Sequence, residues 1–378
     1  MKKIAFILYT SGLEYDDRVR KEALALSKYG GVEIFVLTPE NNNQEGTTSY
    51  GIPYKSFTLK TRKHLPSGRF TLLKGVNFFF SVKKYLKQFD ILWVHDVEPF
   101  LVALLFKNKR VVWDLHETPM FFLKNKITRA IFKRIEVNCD ALIHANPHRL
   151  EFLTEMTMVN DRSKHFVLRN FPDQALLNSN EDDSIFADFK AWLKGSEYAY
   201  IQGLVDHERL PEETIETIMQ QGEYKAVVIG GFDEKIKHKL YIKYGSLLFE
   251  TIFFRGKVNQ LQIPRYVKGS KFSLVFYTTE TPNARFCEPN RMYQAIALGK
   301  PVVLGCNEPM KSLVEKYGFG VVTSSDGRCV AENVFSLNKM LGNYQEYASN
   351  IIKNKHKIFW EEQLPMFVEI LNYIDQNK

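Results

Sequence analysis

Residues 288–305, Glu-Pro-Asn-Arg-Met-Tyr-Gln-Ala-Ile-Ala-Leu-Gly-Lys-Pro-Val-Val-Leu-Gly, constrain the fold more than any other stretch. Pro289 is placed to open a helix, because its fixed φ suits the first helical position and its missing N–H costs nothing there. Met292, Ala295, Ile296 and Leu298 then recur at helical spacing. Gly299 follows the last of them, Lys300-Pro301 cannot continue the turn, and residues 302–304 read as a buried strand. Ahead of the helix, residues 278–287 form a polar, irregular run of the kind that makes a loop at the mouth of a cleft. The predicted order of strand, loop, helix and strand leaves free amide N–H groups and a positive dipole end at the loop, with Asn290 and Arg291 beside them. That combination suits a phosphate.

The same alternation runs along the whole chain. Residues 3–10 read as a buried parallel strand, since the apolar run after Met1-Lys2-Lys3 is too short for a signal peptide and no small-residue cleavage site follows. Ser11-Gly12-Leu13 is a tight turn, and Asp16 or Asp17 is placed to cap a helix that carries Val19, Ala23 and Leu26 on one face and ends at Gly30-Gly31. A strand over 32–37 completes a β-α-β opening. The loop holding Gly12 then lies at the carboxyl edge of the sheet, where open α/β folds bind ligands, although a lone turn glycine is equally a structural residue. Further strands are predicted over 54–59, 91–94, 111–114, 141–144 and 166–168. Beyond a polar stretch they resume at 198–202, 226–229, 252–254, 272–276, 302–304 and 319–322, with helices between. A chain of 378 residues suits two domains, and the alternation makes each a doubly wound α/β unit.

Charge and cysteine usage narrow the class. Residues 1–172 carry 27 Lys and Arg against 17 Asp and Glu, and the remainder 24 against 26, so the excess of +8 comes from the first half. No acidic residue lies between Glu45 and Asp90, while Lys55, Lys60, Arg62, Lys63, Arg69, Lys74, Lys83, Lys84 and Lys87 do. Such a field attracts an anionic partner. Residues 70–88 combine lysines with Leu73, Phe78, Phe79, Phe80, Val82, Tyr85 and Leu86. This is either a helix touching an anionic membrane or lipid-linked substrate, or a core-facing helix with a solvated lysine face. The run 120–126, followed by Arg129, Lys133 and Arg134, repeats the chemistry and favours the membrane. Cys139, Cys287, Cys306 and Cys329 are scattered without a Cys-x-x-Cys pair, which fits a reducing cytoplasm, and no segment approaches the roughly 18 apolar residues of a membrane span. A nucleic-acid partner is possible from charge alone, but no recognised nucleic-acid module accompanies the basic run.

Two strands end in titratable pairs, His95-Asp96 after 91–94 and His116-Glu117 after 111–114. Strand ends are where an α/β domain keeps its chemistry. Two such pairs on successive strands favour a functional His116 and leave His95 open.

Taken together these segments resemble family-four-like glycosyltransferases of the GT-B fold, whose pattern in the opening stretch is Pro-Asn-Lys, two residues, Glu, an Ala-rich turn and Gly-x-Pro-Val-Val. Arg291 stands at the Lys, Gln294 at the Glu that holds the ribose, and Phe286 at the first position of the paired-glutamate motif. Residues 203–209 resemble the turn that grips the donor pyrophosphate, with Arg209 at its Lys and Leu204 in place of an Arg. The turn Arg255-Gly256-Lys257-Val258 is similar to the one whose backbone reads the base. Asp17-Arg18-Val19 and Lys21-Glu22-Ala23 look like the first helix, Asp114-x-His116-Glu117 like a motif that sets its His against donor sugar or acceptor hydroxyl, and Asn170 like the Asn-containing turn closing the first domain.

The resemblance implies a GT-B α/β architecture of two Rossmann-like, doubly wound domains facing an interdomain cleft. They comprise an acceptor domain over 1–173, a linker over 174–195, a nucleotide-sugar domain over 196–355, and a closing helix over 356–378 that folds back on the first. It implies transfer of a sugar from a nucleotide-diphosphate sugar to a saccharide or lipid-linked acceptor in cell-surface polysaccharide or glycolipid synthesis, with retained configuration. No metal or cofactor is expected, the enzyme being cytoplasmic and peripheral at the inner membrane face. The implied catalytic residues are His116, Arg209 and Arg291. Donor contacts are Gly203, Arg255, Val258, Glu288, Asn290 and Gln294, and acceptor contacts are Gly12, Asp17, His95 and Glu117. Two alternatives stay open: a nucleotide-sugar epimerase of the same fold, with Glu117 and Glu288 as its carboxylates, and a catalytically impaired anion- or membrane-binding protein, which Gln294 and Phe286 favour.

Overall fold

Runs of β-branched and aromatic residues build two sheets, one in each of two compact units, Met1–Asn170 with Gln363–Lys378, and Phe171–Glu362. The structure, a computed structural model, describes residues 2–10, 12–39, 43–59, 71–157, 161–178 and 186–377. The basic residues Lys60, Arg62, Lys63 and Arg69 lie outside these residues, as does the middle of the expected linker.

The first unit holds β1 (Lys2–Tyr9), β2 (Gly30–Thr38), β3 (Glu45–Thr47), β4 (Pro53–Thr58), β5 (Ile91–His95), β6 (Arg110–Leu115), β7 (Ala141–His144) and β8 (His165–Val167). Their order is β3-β4-β2-β1-β5-β6-β7-β8, parallel except for β3. The second unit holds β9 (Tyr198–Gln202), β10 (Lys225–Ile229), β11 (Ile252–Gly256), β12 (Phe272–Val275), β13 (Val302–Leu304) and β14 (Gly320–Val322), all parallel, in the order β11-β10-β9-β12-β13-β14. In each sheet the order reverses beside its first parallel strand, between β1 and β5 and between β9 and β12. At such a switch point the loops leave in opposite directions and open a crevice at the carboxyl ends.

Helices cover both faces, as sheets built of parallel strands require. Helix α1 (Asp17–Ser27) is capped by Asp16, whose side chain accepts from Val19 N–H at 3.2 Å, and buries Val19, Ala23 and Leu26. It ends three residues before Gly30, which begins β2 instead of stopping the helix. A Cβ on Gly30 would stand 2.6 Å from the Lys2 carbonyl oxygen, so the glycine lets β1 and β2 meet. Helix α2 (Thr71–Leu86) turns Phe78, Val82 and Leu86 into the core and leaves Leu73, Val76 and Phe80 at 45%, 41% and 60% exposure.

Several elements differ from the sequence expectation. After β14, where the sequence suggests one helical stretch over 333–354, two helices form, Val330–Gly342 and Tyr344–Asn354, because Asn343 at the joint has left the helical conformation. The short helix Ala187–Leu193, inside the stretch expected as linker, packs Phe189 against Tyr198, Phe253 and Tyr266. The final helix Leu364–Gln376 buries Phe367 against Trp93 of β5 in the first unit, ring centroids 6.1 Å apart.

Candidate functional site

In the second unit the site grows from the helix Asn290–Ala297. Pro289 is its N-cap, extended at φ −75° and ψ 139°, rather than its first helical residue, and its carbonyl accepts from Met292 N–H at 3.0 Å. A cap residue has just this extended backbone while its carbonyl already takes the first helical bond. The helix ends in a Schellman motif: Gly299 at φ +84° donates to Ile296 and Lys300 to Ala295, each at 2.9 Å.

Arg291 is 5% exposed in the first turn of this helix. Its guanidinium donates to two main-chain carbonyls, Gln202 at the end of β9 and Phe276 after β12, the latter at 3.2 Å. It lies over the Tyr277 ring, 4.8 Å from the centroid. No carboxylate pairs with it among the described residues, and its Nε–H is buried without a hydrogen-bond partner. A buried cation supported by carbonyl dipoles and one aromatic face, with no counter-charge among the described residues, is an incomplete arrangement that a bound anion completes.

The neighbouring residues gather at the same switch point. Gly203 follows β9 at φ +69° and its carbonyl accepts from Arg209 Nη1 at 2.8 Å. A Cβ there would come within 2.9 Å of that nitrogen. Arg209 also pairs with Asp206 at 3.1 Å, and its guanidinium is 5.8 Å from the Tyr277 ring, so Tyr277 stands by both arginines. Glu288 accepts from the Tyr293 hydroxyl at 2.5 Å, Asn290 is exposed, and Gln294 keeps a buried Oε1 with no partner among the described residues. Arg255, at the far side of the sheet in β11, donates to the Tyr266 hydroxyl at 2.9 Å, and Val258 packs on the core. Phe286 is buried beneath the Arg285 guanidinium.

In the first unit the strand ends hold a dense charged cluster. Asp114, fully buried, is held by Arg18 through both oxygens, at 2.9 and 2.6 Å, and by His116 Nε2 at 2.8 Å. His116 Nδ1 is 3.1 Å from Asp96 Oδ2, and His95 Nδ1 is 3.0 Å from His116 Nε2. Burial alone would raise the Asp114 carboxyl, but Arg18 and His116 hold it well below the ordinary range. Burial likewise opposes charge on His116, and Asp96 and Asp114 outweigh it, raising the imidazole well above its usual value. Donor atoms of His95, Asp114 and His116 lie within 4.8 Å of one another, as in a metal centre, yet Arg18 already supplies the cation that Asp114 faces.

Of the residues expected to touch an acceptor, His95 joins this cluster, and Glu117 is exposed beside it. Asp17 does not. Burial would raise its carboxyl, but pairs with Lys21 at 2.8 Å and Arg20 at 2.7 Å hold it down and commit both oxygens within α1. Gly12 N–H donates to the Thr10 hydroxyl at 3.3 Å, and its extended φ of −164° makes no demand for glycine. Sequence reasoning missed Tyr277, read Arg18 only as part of the first-helix motif, and named Asp96 beside His95 at a strand end without giving it a role. All three lie within one or two residues of strand ends or helix starts at a switch point, a signal that appears only once strand order is known.

No protein-family model matches the chain, and no curated protein matches it either. Solved structures do. Sucrose-phosphate synthase from Thermosynechococcus elongatus is similar over 100% of both chains at 14% identity, with a TM-score of 0.79. A trehalose-6-phosphate synthase is similar over 97% of this chain and 99% of its own at 14% identity and a TM-score of 0.75. The Anabaena protein HepE, solved with UDP and glucose, is similar over 98% of this chain and 100% of its own at 14% identity and a TM-score of 0.74. At this identity the likeness defines the fold: two Rossmann-like α/β units of the GT-B architecture.

Proposed function

We propose that the chain is a nucleotide-sugar-dependent glycosyltransferase. The observation that carries the reading is Arg291, a buried guanidinium at the β9/β12 switch point with carbonyls for partners and, among the described residues, no carboxylate. In this reading the second unit holds a nucleoside diphosphate, with Arg291, Arg209 and the amide end of the helix Asn290–Ala297 on the phosphates, and Gly203, Arg255, Val258, Glu288, Asn290 and Gln294 along the nucleotide and sugar. The similar structures support it, since they include a sucrose-phosphate synthase, a trehalose-6-phosphate synthase and a protein bound to UDP and glucose.

The first unit takes the acceptor, a saccharide or lipid-linked sugar. Asp96, whose carboxylate is the most open member of the charged cluster, and Glu117 are its candidate hydroxyl partners. Transfer proceeds with retention: the acceptor oxygen bonds to the anomeric carbon as the bond to the diphosphate oxygen breaks, and the acceptor proton passes to that leaving oxygen. The cations of the second unit stabilise the charge that develops there. The chain works in the cytoplasm, bound peripherally to anionic lipid through α2, and serves cell-surface polysaccharide or glycolipid synthesis. No described helix is long and apolar enough to cross a membrane.

Calorimetry with UDP and GDP, followed by a thermal-shift panel of nucleotide-diphosphate sugars, tests the reading. Absence of binding to either nucleotide removes it. Gln294, where a carboxylate would be expected from the resemblance, favours a second reading, an anion-binding protein without turnover. Nucleotide binding with no sugar transferred or released marks that case.

A further inference from the structure

His116 has a carboxylate on each ring nitrogen: Asp114 Oδ2 lies 2.8 Å from Nε2 and Asp96 Oδ2 3.1 Å from Nδ1. An ionised carboxylate only accepts, so both nitrogens are donors, and an imidazole with two N–H groups is a cation. The main chain holds this geometry from both sides. His116 N–H donates to Asp96 Oδ1 at 2.9 Å, and Asp96 N–H donates to the Asp114 carbonyl at 2.8 Å. Asp96 sits at φ +58°, a left-handed conformation that a residue with a Cβ keeps only where its surroundings demand it.

Arg18 fixes the other end. Its bidentate grip on the buried Asp114 keeps that carboxylate ionised, and Glu22, also fully buried, lies 2.9 Å from Arg18 Nε while accepting from the Trp93 indole at 2.9 Å. The charges close when Glu22 is protonated and His95 neutral: Arg18 and His116 positive, Asp96 and Asp114 negative. Burial and then Asp114 push the Glu22 carboxyl well up, and burial pushes His95 down, in agreement with that balance. Further charged neighbours are Arg149, which donates to the His116 carbonyl from the helix Pro147–Thr157, Asp16 at the cap of α1, whose charge acts on His95, and Glu98 and Glu117 on the strand-end loops around Asp96.

We propose that Arg18 and Asp96 are positioning residues that lock His116 as an imidazolium, so that the ring presents a fixed positive charge and takes no proton from a substrate. What this means for catalysis rests on the transferase reading; the protonation state does not. With His116 excluded as a base, the proton of an acceptor hydroxyl goes to the departing phosphate oxygen, and His116 acts by holding the Asp96 carboxylate as an oriented, ionised acceptor.

Long-range proton–nitrogen spectra of the full 15N-labelled chain test it, with His116→Gln identifying the resonances by their loss. The native ring is expected to keep protons on both nitrogens well above the ordinary imidazole midpoint of about 6.5. Asp96→Asn should lower its midpoint by about one to three units, and Arg18→Met should lower it too, while Arg18→Lys keeps more of the native value. A native His116 that titrates near about 6.5, or that holds a single proton at neutral pH, overturns the proposal, and this needs no variant to fold. The spectrum requires no turnover. An imidazolium in a chain that binds no nucleotide removes the transferase reading alone; a neutral ring in an active transferase removes this proposal alone.

Discussion

Arg291 is where residue chemistry reaches furthest. Arg291→Ala is expected to lower turnover by about a hundredfold or more, the scale of removing one charge-stabilising donor. Arg291→Lys should keep part of it, since a lysine restores the charge without the two-pronged geometry. Steady-state transfer to a soluble acceptor checks this, and unchanged turnover would remove the role. A second residue-scale prediction concerns acid stability. His144 is fully buried and stacked on His165, with its Nε2 3.0 Å from His165 Nδ1. Burial, then His165, push it down to about 3. The unfolded chain therefore takes a proton, near about pH 6.5, that the folded chain refuses. This contribution is whole above that pH and is lost as pH falls toward about 3; His95, also lowered by burial, acts in the same direction. His116, raised, acts oppositely and loses its contribution as pH rises through its folded value. Melting temperature should fall between about pH 6.5 and pH 4, and His144→Asn should flatten that slope. Arg291 and His116 were legible in the sequence because they sit one helix start and one strand end away from recognisable punctuation. Arg18 and Asp114 meet across 96 residues, and no spacing rule announces such a pair.

At the scale of elements, glycines separate two kinds of constraint. Gly299 has φ +84° and open space where a Cβ would go, so Gly299→Ala should cost only the left-handed strain, about 1–2 kcal/mol. Gly320 begins β14, and a Cβ there would lie 1.9 Å from the Val302 carbonyl oxygen, against the β13 pairing itself. Gly320→Ala should cost about 3 kcal/mol or more, read by denaturant unfolding. The first position was legible, because Gly after an apolar helical run marks a stop; the second was not, because close approach of two strands leaves no local pattern. Helix α2 was legible as an element, and its packing only in part. Phe78, Val82 and Leu86 are core, as the core-facing alternative requires, while Leu73, Val76 and Phe80 stay exposed along one face that continues into Lys83 and Lys84. An apolar stripe with a basic end suits an anionic lipid surface. Native chain should float with vesicles containing anionic lipid at low salt and detach as salt rises, and Phe80→Ser with Lys83→Glu and Lys84→Glu should abolish flotation.

For the whole molecule, the division into two compact units makes the nucleotide a probe of one of them. Strand and helix periodicity made both doubly wound sheets legible, because parallel strands buried on two faces read as continuous apolar runs. The periodicity of the last helix carries no record of the core that receives it, and only the resemblance implied a return to the first domain; residues Gln363–Lys378 count with the first unit, where Phe367 meets Trp93. If Arg291 and the helix end beside it hold a diphosphate, saturating UDP or GDP must stabilise the second unit. The gain is about 2.7 kcal/mol at a hundredfold excess over the dissociation constant. Scanning calorimetry is expected to show the transition of the second unit rising with nucleotide concentration, in a titratable, logarithmic manner. Arg291→Ala should abolish that rise, while a melt without nucleotide shows what the substitution alone costs. Hydrogen exchange distinguishes binding to the wrong unit: protection should gather at residues 202–209 and 290–297, and protection confined to the strand ends of the first unit would move the anion site to the charged cluster around His116.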